Sequence, residues 1–184
     1  MTLAAPGDSR PASLADIVDD EAAFREWYET ALPRVYRYLL SRCDHDVALA
    51  EELTQQTFVE AIHRRGQFDR RSEIVTWLIA IGRNKLIDHY RRLDRDQRRH
   101  LKLVSGWTDA SVAPWQVSEN RAEVAAALAH LTGEQRLVLV LRYFDALPVR
   151  EIARLIGRSE SAADSLLFRA REAFRRAYRG QTDA

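Results

Sequence analysis

The residues best suited to chemistry are cationic and amide side chains on segment 76–92 of a helix that is predicted over 74–93. Arginine and lysine neutralise phosphate, asparagine can pair with an adenine edge, and aromatic rings can stack on unpaired bases. Trp77 and Tyr90 could supply such rings, although both also fit a hydrophobic core. The pattern predicts a nucleic-acid surface. Its cationic and amide members are Arg83, Asn84, Lys85, His89, Arg91 and Arg92.

A second such surface is predicted near the C-terminus. A short apolar-faced helix over 148–156, a turn at Gly157 and a new helix capped by Ser159 have the spacing of a helix-turn-helix. The second helix of such a motif enters the major groove. Arginines cluster on and after that second helix, where phosphates would lie. They are Arg158, Arg169, Arg171, Arg175 and Arg176.

No catalytic, metal or cofactor site is predicted. The five histidines have no paired helical spacing, and Cys43 is the single cysteine, so neither a multi-cysteine zinc cluster nor an intramolecular disulfide is expected. The seven glycines are dispersed and form no phosphate-binding loop. An enzyme is therefore not expected, and neither is a cofactor.

The net charge of +1 conceals an uneven distribution of charge along the 184 residues. Residues 1–52 sum to −6, 53–102 to +6, 103–147 to −2 and 148–184 to +3. Two basic segments separated by an acidic one indicate two surfaces that face polyanions. No run of about 20 apolar residues and no basic-then-apolar leader occurs, so we expect a cytoplasmic protein without membrane insertion.

Periodicity predicts an all-α protein of two small helical domains. The predicted order is a disordered extension over 1–19, a first domain over 20–93, a linker over 94–117, a second domain over 118–179 and a tail over 180–184. Pro33 is expected to separate two helices near Leu32. Asp46 is a predicted N-cap, and Thr132 and Gln135 have capping-box spacing.

Two ordered blocks resemble the sigma-70 family of RNA polymerase sigma factors. The stretch DVALAEELTQQTFVEAIHRRGQFD, followed by TWLIAIGRNKLIDHYRR, resembles its region 2. The stretch ALAHLTGEQRLVLVLRYFDALPVREIARLIGRSESAADSLLFRAREAF resembles its region 4. With only these regions and a connector over roughly 23–178, the chain is similar to the extracytoplasmic-function (ECF) group. The resemblance implies a promoter-specificity factor that binds core RNA polymerase, through its β′ clamp and β flap, and promoter DNA.

The resemblance also implies roles for matching residues. It assigns polymerase binding to Asp46, Glu51, Glu52, Leu53, Gln55, Gln56 and Phe58. It assigns recognition and opening of the −10 element to Arg70, Arg71, Trp77, Arg83, Asn84, Lys85, Asp88, Arg91 and Arg92. It assigns binding of the −35 element to Arg158, Ser159, Glu160, Ser161, Asp164, Ser165, Arg169 and Arg171.

The second helix of the helix-turn-helix departs from the family pattern. Ala162, Ala163 and Asp164 stand where the family commonly has Thr-Val-Lys, and Arg158 replaces an aliphatic residue. Glu160 and Asp164 repel phosphate, although a carboxylate can accept from a cytosine amino group. Altered reading of the −35 element is therefore expected, and a sigma-like protein without promoter recognition stays an alternative.

Two further alternatives differ in class. A conventional helix-turn-helix regulator would dimerise and bind duplex DNA without polymerase, and it would have no use for the 46–62 block. An all-α enzyme lacks a site. Because members of the ECF group are usually held by a sequestering protein, an anti-sigma partner is also expected.

Overall fold

The structure is a computed structural model that describes residues 14–68, 72–103 and 119–182. Within these ranges the secondary structure is helical, without strands, as predicted. The helices are α1 (Leu14–Asp19), α2 (Glu21–Leu40), α3 (Val47–His63), α4 (Ile74–Leu103), α5 (Glu119–Ala129), α6 (Gly133–Leu139), α7 (Val149–Ile156) and α8 (Glu160–Thr182), with a 3₁₀ turn at Arg65–Gln67 and a π-helical turn at Val140–Phe144.

Helix α1 corrects part of the predicted disordered extension over 1–19. Leu14 is buried, and Ile17 and Val18 pack against the core, so the three apolar residues line one side of the helix. The helix contacts α2 and the 3₁₀ turn. Burial of this short apolar edge orders residues that composition alone assigned to an extension. The rest of the predicted extension lies outside the described residues.

Helix α2 corrects the predicted break at Pro33, which lies inside one continuous helix. Proline removes one backbone donor and crowds the preceding turn. Ala31, Val35 and Leu39 are nevertheless buried along one stripe on both sides of the exposed Pro33. Packing of that stripe against the core keeps the helix continuous, because tertiary burial outweighs a local helix-breaking preference.

Helix α3 begins as predicted. The Asp46 carboxylate accepts a hydrogen bond from the backbone N–H of Leu49 at 3.0 Å, which confirms it as the N-cap. The helix buries Leu53, Thr57 and Phe58 against α2 and α4.

Helix α4 continues ten residues beyond its predicted end at Leu93, into the segment assigned to the linker. Leu93 packs against the core and Asp94 is buried, so tertiary contacts carry the helix past the predicted boundary. Its polar final turns consist largely of residues with good helix propensity, which apolar periodicity does not detect. The predicted linker over 104–117 lies outside the described residues.

The C-terminal helices form the predicted helix-turn-helix. The capping box at Thr132 and Gln135 is present, with both reciprocal hydrogen bonds. Gly157 takes a left-handed conformation with φ +68° between α7 and α8, as a glycine at the end of a helix commonly does. The Ser159 hydroxyl then accepts from the backbone N–H of Ala162, confirming Ser159 as the cap of α8.

Helices α1–α4, here called the N-terminal half, pack directly against α5–α8, the C-terminal half. Helix α4 contacts both α6 and α7, and the buried apolar residues of the two halves belong to one continuous cluster. The division into two domains and its boundaries remain predictions. None of the described helices is long and apolar enough to cross a membrane.

Candidate functional site

The outward face of α3 carries the predicted acidic and amide surface. Glu51, Glu52 and Gln55 are exposed, and Gln56 is half-buried and donates to the Glu52 carboxylate at 2.8 Å. Asp46 is exposed at the start of the same helix, where its carboxylate acts as the N-cap. These five residues therefore share an accessible helix.

Two other members of the predicted polymerase-binding set are corrected by the structure. Leu53 and Phe58 are buried, with 1% and 4% of their surface exposed. The Phe58 ring packs edge-on against Tyr28 at 4.8 Å and against Trp27 at 5.4 Å between ring centroids. These side chains hold α3 in the fold and cannot contact a partner directly.

Val59 is a member of the α3 surface that the sequence prediction missed. Its side chain is 48% exposed, one turn beyond Gln55 on the acidic and amide face. Its position four residues after Gln55, on the same side of a helix, was the available signal. Together with Glu51, Glu52 and Gln55 it gives α3 the mixed character of a protein-docking face.

Helix α4 presents an exposed polar stripe that runs along its axis. Asn84, Asp88 and Arg92 lie at four-residue spacing, and Arg95 continues the stripe one turn further. Arg95 was missed because the sequence prediction ended this helix at Leu93. The stripe therefore combines an amide, one carboxylate and two guanidinium groups.

Two of the predicted cations of α4 already have partners inside the protein. Lys85 donates to a Glu60 carboxylate oxygen at 3.0 Å, and this hydrogen bond lowers the pKa of Glu60. Arg91 donates to the backbone carbonyl of Leu155, in the C-terminal half, at 2.8 Å. Each cation therefore has part of its hydrogen-bonding capacity occupied inside the protein.

The other predicted −10 residues fall in three environments. Trp77 is half-buried, packing on the core and on the Phe68 ring at 5.4 Å between centroids. Arg83 is half-buried, and its Nε has no hydrogen-bond partner among the described residues. Arg70 and Arg71 lie outside the described residues.

Burial makes the cysteine a poor nucleophile. Cys43 is 3% exposed, and burial, with the nearby Asp44 and Asp46 charges, raises the pKa of its thiol to about 12. The reactive thiolate is therefore scarce at neutral pH. No group of three or more histidine, cysteine or carboxylate residues able to hold a metal ion occurs among the residues that the structure describes.

Helix α8 exposes a stripe opposite its buried side. Ala163, Leu166, Leu167 and Ala170 are buried, which turns the intervening residues outward. The exposed stripe consists of Ser161, Asp164, Ser165 and Phe168. Phe168 is 59% exposed and was absent from the predicted site, although its helical position, one turn after Asp164, was a readable signal.

The residues flanking this stripe differ in how free they are. Glu160 and Arg169 are exposed, whereas Arg171 is half-buried. Arg158 donates to both Glu134 carboxylate oxygens, at 2.6 and 2.7 Å, so its charge is partly neutralised inside the C-terminal half.

Comparison with known proteins identifies the two regions of the chain that carry these surfaces. Residues 27–96 match the family model for Sigma-70 region 2, and residues 121–174 match that for Sigma-70, region 4. The region 2 match decides against the conventional helix-turn-helix regulator. A solved structure of the sigma factor RpoE from Bartonella quintana has a similar fold, with a TM-score of 0.56 and 24% identity over 85% of this chain and 96% of that one.

Curated relatives are sigma factors. ECF RNA polymerase sigma factor SigM of Bacillus subtilis is 31% identical over 86% of this chain and 97% of its own length. RNA polymerase sigma factor YlaC of the same organism is 32% identical over 82% and 87%. ECF RNA polymerase sigma factor BldN of Streptomyces coelicolor is 30% identical over 89% of this chain, which spans 65% of BldN. Both sequence regions, the helical fold and the relatives SigM and YlaC, matched over most of their length, agree. The chain therefore belongs to the ECF group of the sigma-70 family of RNA polymerase sigma factors.

Proposed function

We propose that this sigma factor docks on core RNA polymerase through α3 and contacts the −10 and −35 promoter elements through α4 and α8, respectively. The observation that carries this proposal is the separation of surface types. The exposed face of α3 is acidic and amide-rich, whereas α4 and α8 expose arginines beside groups that can read bases. The chain would supply promoter choice and stabilise opened DNA in the cytoplasm, while the polymerase performs the chemistry.

The polymerase surface is proposed to consist of Glu51, Glu52 and Gln55 with the exposed Val59. A carboxylate and amide face does not suit DNA, because it repels phosphate. Charges at the edge of a protein interface steer association, and an apolar residue among them adds buried area. Leu53 and Phe58 support this surface from beneath.

The −10 surface is proposed to be the stripe Asn84, Asp88, Arg92 and Arg95. Asparagine can bond an adenine edge and the arginines can neutralise phosphate. Unstacking a base costs a few kcal/mol of free energy. Contacts of the base with a pocket, and of the phosphates with a row of cationic side chains, must offset that cost. The half-buried Trp77 lies in the first turn of α4 and would form one wall of such a pocket.

The −35 surface is proposed to be the outward stripe of α8. Ser161 and Ser165 can bond base edges, Phe168 can contact a thymine methyl, and Asp164 can accept from a cytosine amino group. Arg169 would contact phosphate. With a carboxylate in the middle, this helix should prefer cytosine opposite Asp164, so Asp164→Asn should change the preferred base at one position.

Regulation by an anti-sigma protein is part of the proposal. The RpoE neighbour was solved in complex with the anti-sigma factor NepR. We propose that this chain also has a sequestering partner. A candidate anti-sigma protein encoded beside its gene should form a complex with the purified sigma factor. If no protein encoded by a neighbouring gene binds the sigma factor, this part of the proposal is rejected.

The main experiment is run-off transcription with core polymerase on a library of genomic promoters. Transcripts absent with core alone are expected, and their start sites define the promoter elements. No such transcripts would overturn the proposal.

Paired variants separate the roles of α3 and α4. Glu51→Ala with Gln55→Ala should weaken core-polymerase binding, and Asn84→Ala with Arg92→Ala should spare that binding but reduce promoter opening, followed by permanganate reactivity of unpaired thymines. All four residues are exposed, so folding is expected to be retained in both pairs. Equal loss of polymerase affinity in both would contradict the division of roles.

A further inference from the structure

One carboxylate links the helix proposed to dock on polymerase to the helix proposed to contact the −10 element. Glu60, one turn after Gln56 on α3, accepts a hydrogen bond from the Lys85 ammonium of α4 at 3.0 Å. Its other carboxylate oxygen pairs with the Arg64 guanidinium, one turn further along the chain. The side chains of Glu60 and Lys85 are 24% and 27% exposed, so both charges lie at the edge of the contact between α3 and α4.

Lys85 borders the stripe of Asn84, Asp88, Arg92 and Arg95 that is proposed as the −10 surface. It directly follows Asn84, and it lies three residues before Asp88 and seven before Arg92. Residues at these last two spacings share one side of a helix. A DNA backbone that follows the stripe would therefore pass beside the pair of Lys85 and Glu60.

The ion pair leaves Lys85 with free donors but offsets its attraction for an anion. An ammonium has three N–H groups, so two remain when one is bonded to Glu60. A phosphate oxygen bonded to one of these would lie about 2.9 Å from Nζ, and hence within about 6 Å of the Glu60 oxygen. That distance is shorter than the Debye length of about 8 Å at physiological salt, so the carboxylate repels the phosphate. The Lys85 hydrogen bond lowers the pKa of Glu60, which keeps the carboxylate charged at neutral pH.

We propose that Glu60 sets the strength of DNA binding: as a fixed counter-ion of Lys85, it limits how strongly α4 attracts the phosphates beside the −10 element. This inference rests on the proposed function, because it requires α4 to meet DNA. Glu60 acts through Lys85 and does not itself contact DNA. Since phosphate contacts carry no sequence information, Glu60 limits sequence-independent binding and leaves recognition to groups such as Asn84 that can reach base edges.

Glu60→Gln is the main test of this role. The amide has nearly the shape of the carboxylate and can still accept from Lys85, but it has no charge. Glu60→Asp keeps the charge and should bind DNA much as the unchanged protein does. Glu21→Gln is the matched control, because it also removes one negative charge, from an exposed ion pair with Arg25 inside α2. An equal effect of Glu21→Gln and Glu60→Gln would reflect overall charge and would overturn the role of Glu60.

The measurement is the binding of preassembled holoenzyme to a promoter fragment whose −10 element is kept unpaired by mismatches, at several salt concentrations. The promoter is one defined by run-off transcription. Each neutralised phosphate of a single strand contributes about 0.7 to the salt slope. Glu60→Gln should therefore steepen the slope by about 0.7 and strengthen binding about fivefold in about 0.1 M salt. An unchanged slope would overturn the inference.

A second fragment, with substituted −10 bases, tests whether Glu60 acts on the DNA backbone or on the bases. Glu60→Gln should strengthen binding to both fragments by the same factor, because a phosphate contact does not depend on the bases. A gain confined to one fragment would show that Glu60 acts on base recognition, and would overturn the inference.

Lys85→Ala identifies the cation that Glu60→Gln releases. In the Lys85→Ala background, Glu60→Gln should no longer change the salt slope. The double variant also leaves neither charge of the pair without its partner, which favours correct folding. A gain that persists without Lys85 would assign the effect to Arg64, the other partner of Glu60, and would overturn the role of Lys85.

Arg92→Ala separates failure of this inference from failure of the proposed function. Arg92 is exposed in the −10 surface, so its loss should weaken binding and reduce the slope if α4 meets DNA. If Arg92→Ala does so while Glu60→Gln leaves the slope unchanged, the −10 surface stands and the role of Glu60 is rejected. If neither variant changes the slope, α4 does not meet DNA, and the inference fails together with that part of the proposed function.

Discussion

The two halves of the molecule place their aromatic residues in opposite ways. In the N-terminal half, Phe24, Trp27, Tyr28 and Phe58 pack against one another, one pair stacked and the others tilted or edge-on. In the C-terminal half, Tyr143, Phe144 and Phe168 are 61%, 53% and 59% exposed. The N-terminal half therefore uses its rings for stability, whereas the C-terminal half leaves three on its surface.

Cationic side chains also differ in how free they are, and each half contains both exposed and internally paired ones. Lys85 and Arg91 on α4 are held by internal acceptors, whereas Arg169 on α8 is exposed and makes a 3.4 Å contact with a carbonyl of its own helix. The difference teaches that a basic segment in a sequence is not the same as an available basic surface. Predictions that compare equivalent residues in the two halves test this distinction.

The largest expected effect comes from matched phenylalanines. Phe58→Ala should lower the free energy of unfolding by about 3–5 kcal/mol, because it leaves a cavity beside Trp27 and Tyr28. Phe168→Ala should change it by less than about 0.5 kcal/mol, since most of that ring is already in water. Urea denaturation followed by circular dichroism measures the free energy of unfolding of both variants. Equal losses of that free energy would contradict the comparison.

Next in size is an effect on DNA binding that separates the cations. On a promoter defined by run-off transcription, Arg169→Ala should weaken holoenzyme binding about tenfold and reduce the salt slope by about one. Lys85→Ala should reduce the slope by less, because Glu60 already neutralises that ammonium. Binding measured between low and moderate salt gives the slopes, and a larger change for Lys85→Ala would contradict the comparison.

The helix cap of the C-terminal half should have a smaller effect. Thr132→Ala removes the hydroxyl that accepts the Gln135 backbone N–H, and should lower the unfolding free energy by about 1 kcal/mol. Thr132→Ser keeps the hydroxyl and should restore most of that loss. The urea midpoint of each variant is the measurement, and the same midpoint for both would argue against a capping role.

The smallest predicted effect is a pH dependence located in the N-terminal half. Burial, reinforced by the Arg92 charge, lowers the pKa of His89 below its ordinary value of 6.5. The unfolded chain therefore takes up a proton more readily than the folded one, and stability should fall as pH drops from 6.5 through the folded pKa. His89→Gln should reduce this dependence between pH 7.5 and pH 5.5, as seen in urea midpoints, and an unchanged dependence would reject the assignment.

Local signals in the sequence predicted the helix starts well. Asp46 and Thr132 cap their helices, and Gly157 with Ser159 forms the turn of the helix-turn-helix. These features succeed because the hydrogen bonds of a cap join residues only three positions apart. The same locality explains the failures at Pro33 and Leu93, where distant packing continues a helix that local rules would end.

The prediction of the functional residues was limited in the same way, because it also used only local patterns in the sequence. The two segments proposed to face DNA and the α3 face were predicted from residue types and from their resemblance to a family. The family pattern does not distinguish a surface residue from a supporting one. Leu53 and Phe58 were therefore grouped with exposed neighbours, although both lie in the core. Arg95, Val59 and Phe168 were missed because their exposure depends on where each helix packs and ends.

What the sequence by itself determined was the helical class, the main helix caps, the order of the two sigma regions and hence the family. These depend on periodicity and short-range spacing, which the chain carries locally. Only the tertiary structure decided which charges are free, because Arg42 meets Asp145 and Arg91 meets Leu155 across large separations in the chain. Packing neutralises some cations and leaves others in solvent, and no local pattern encodes that choice.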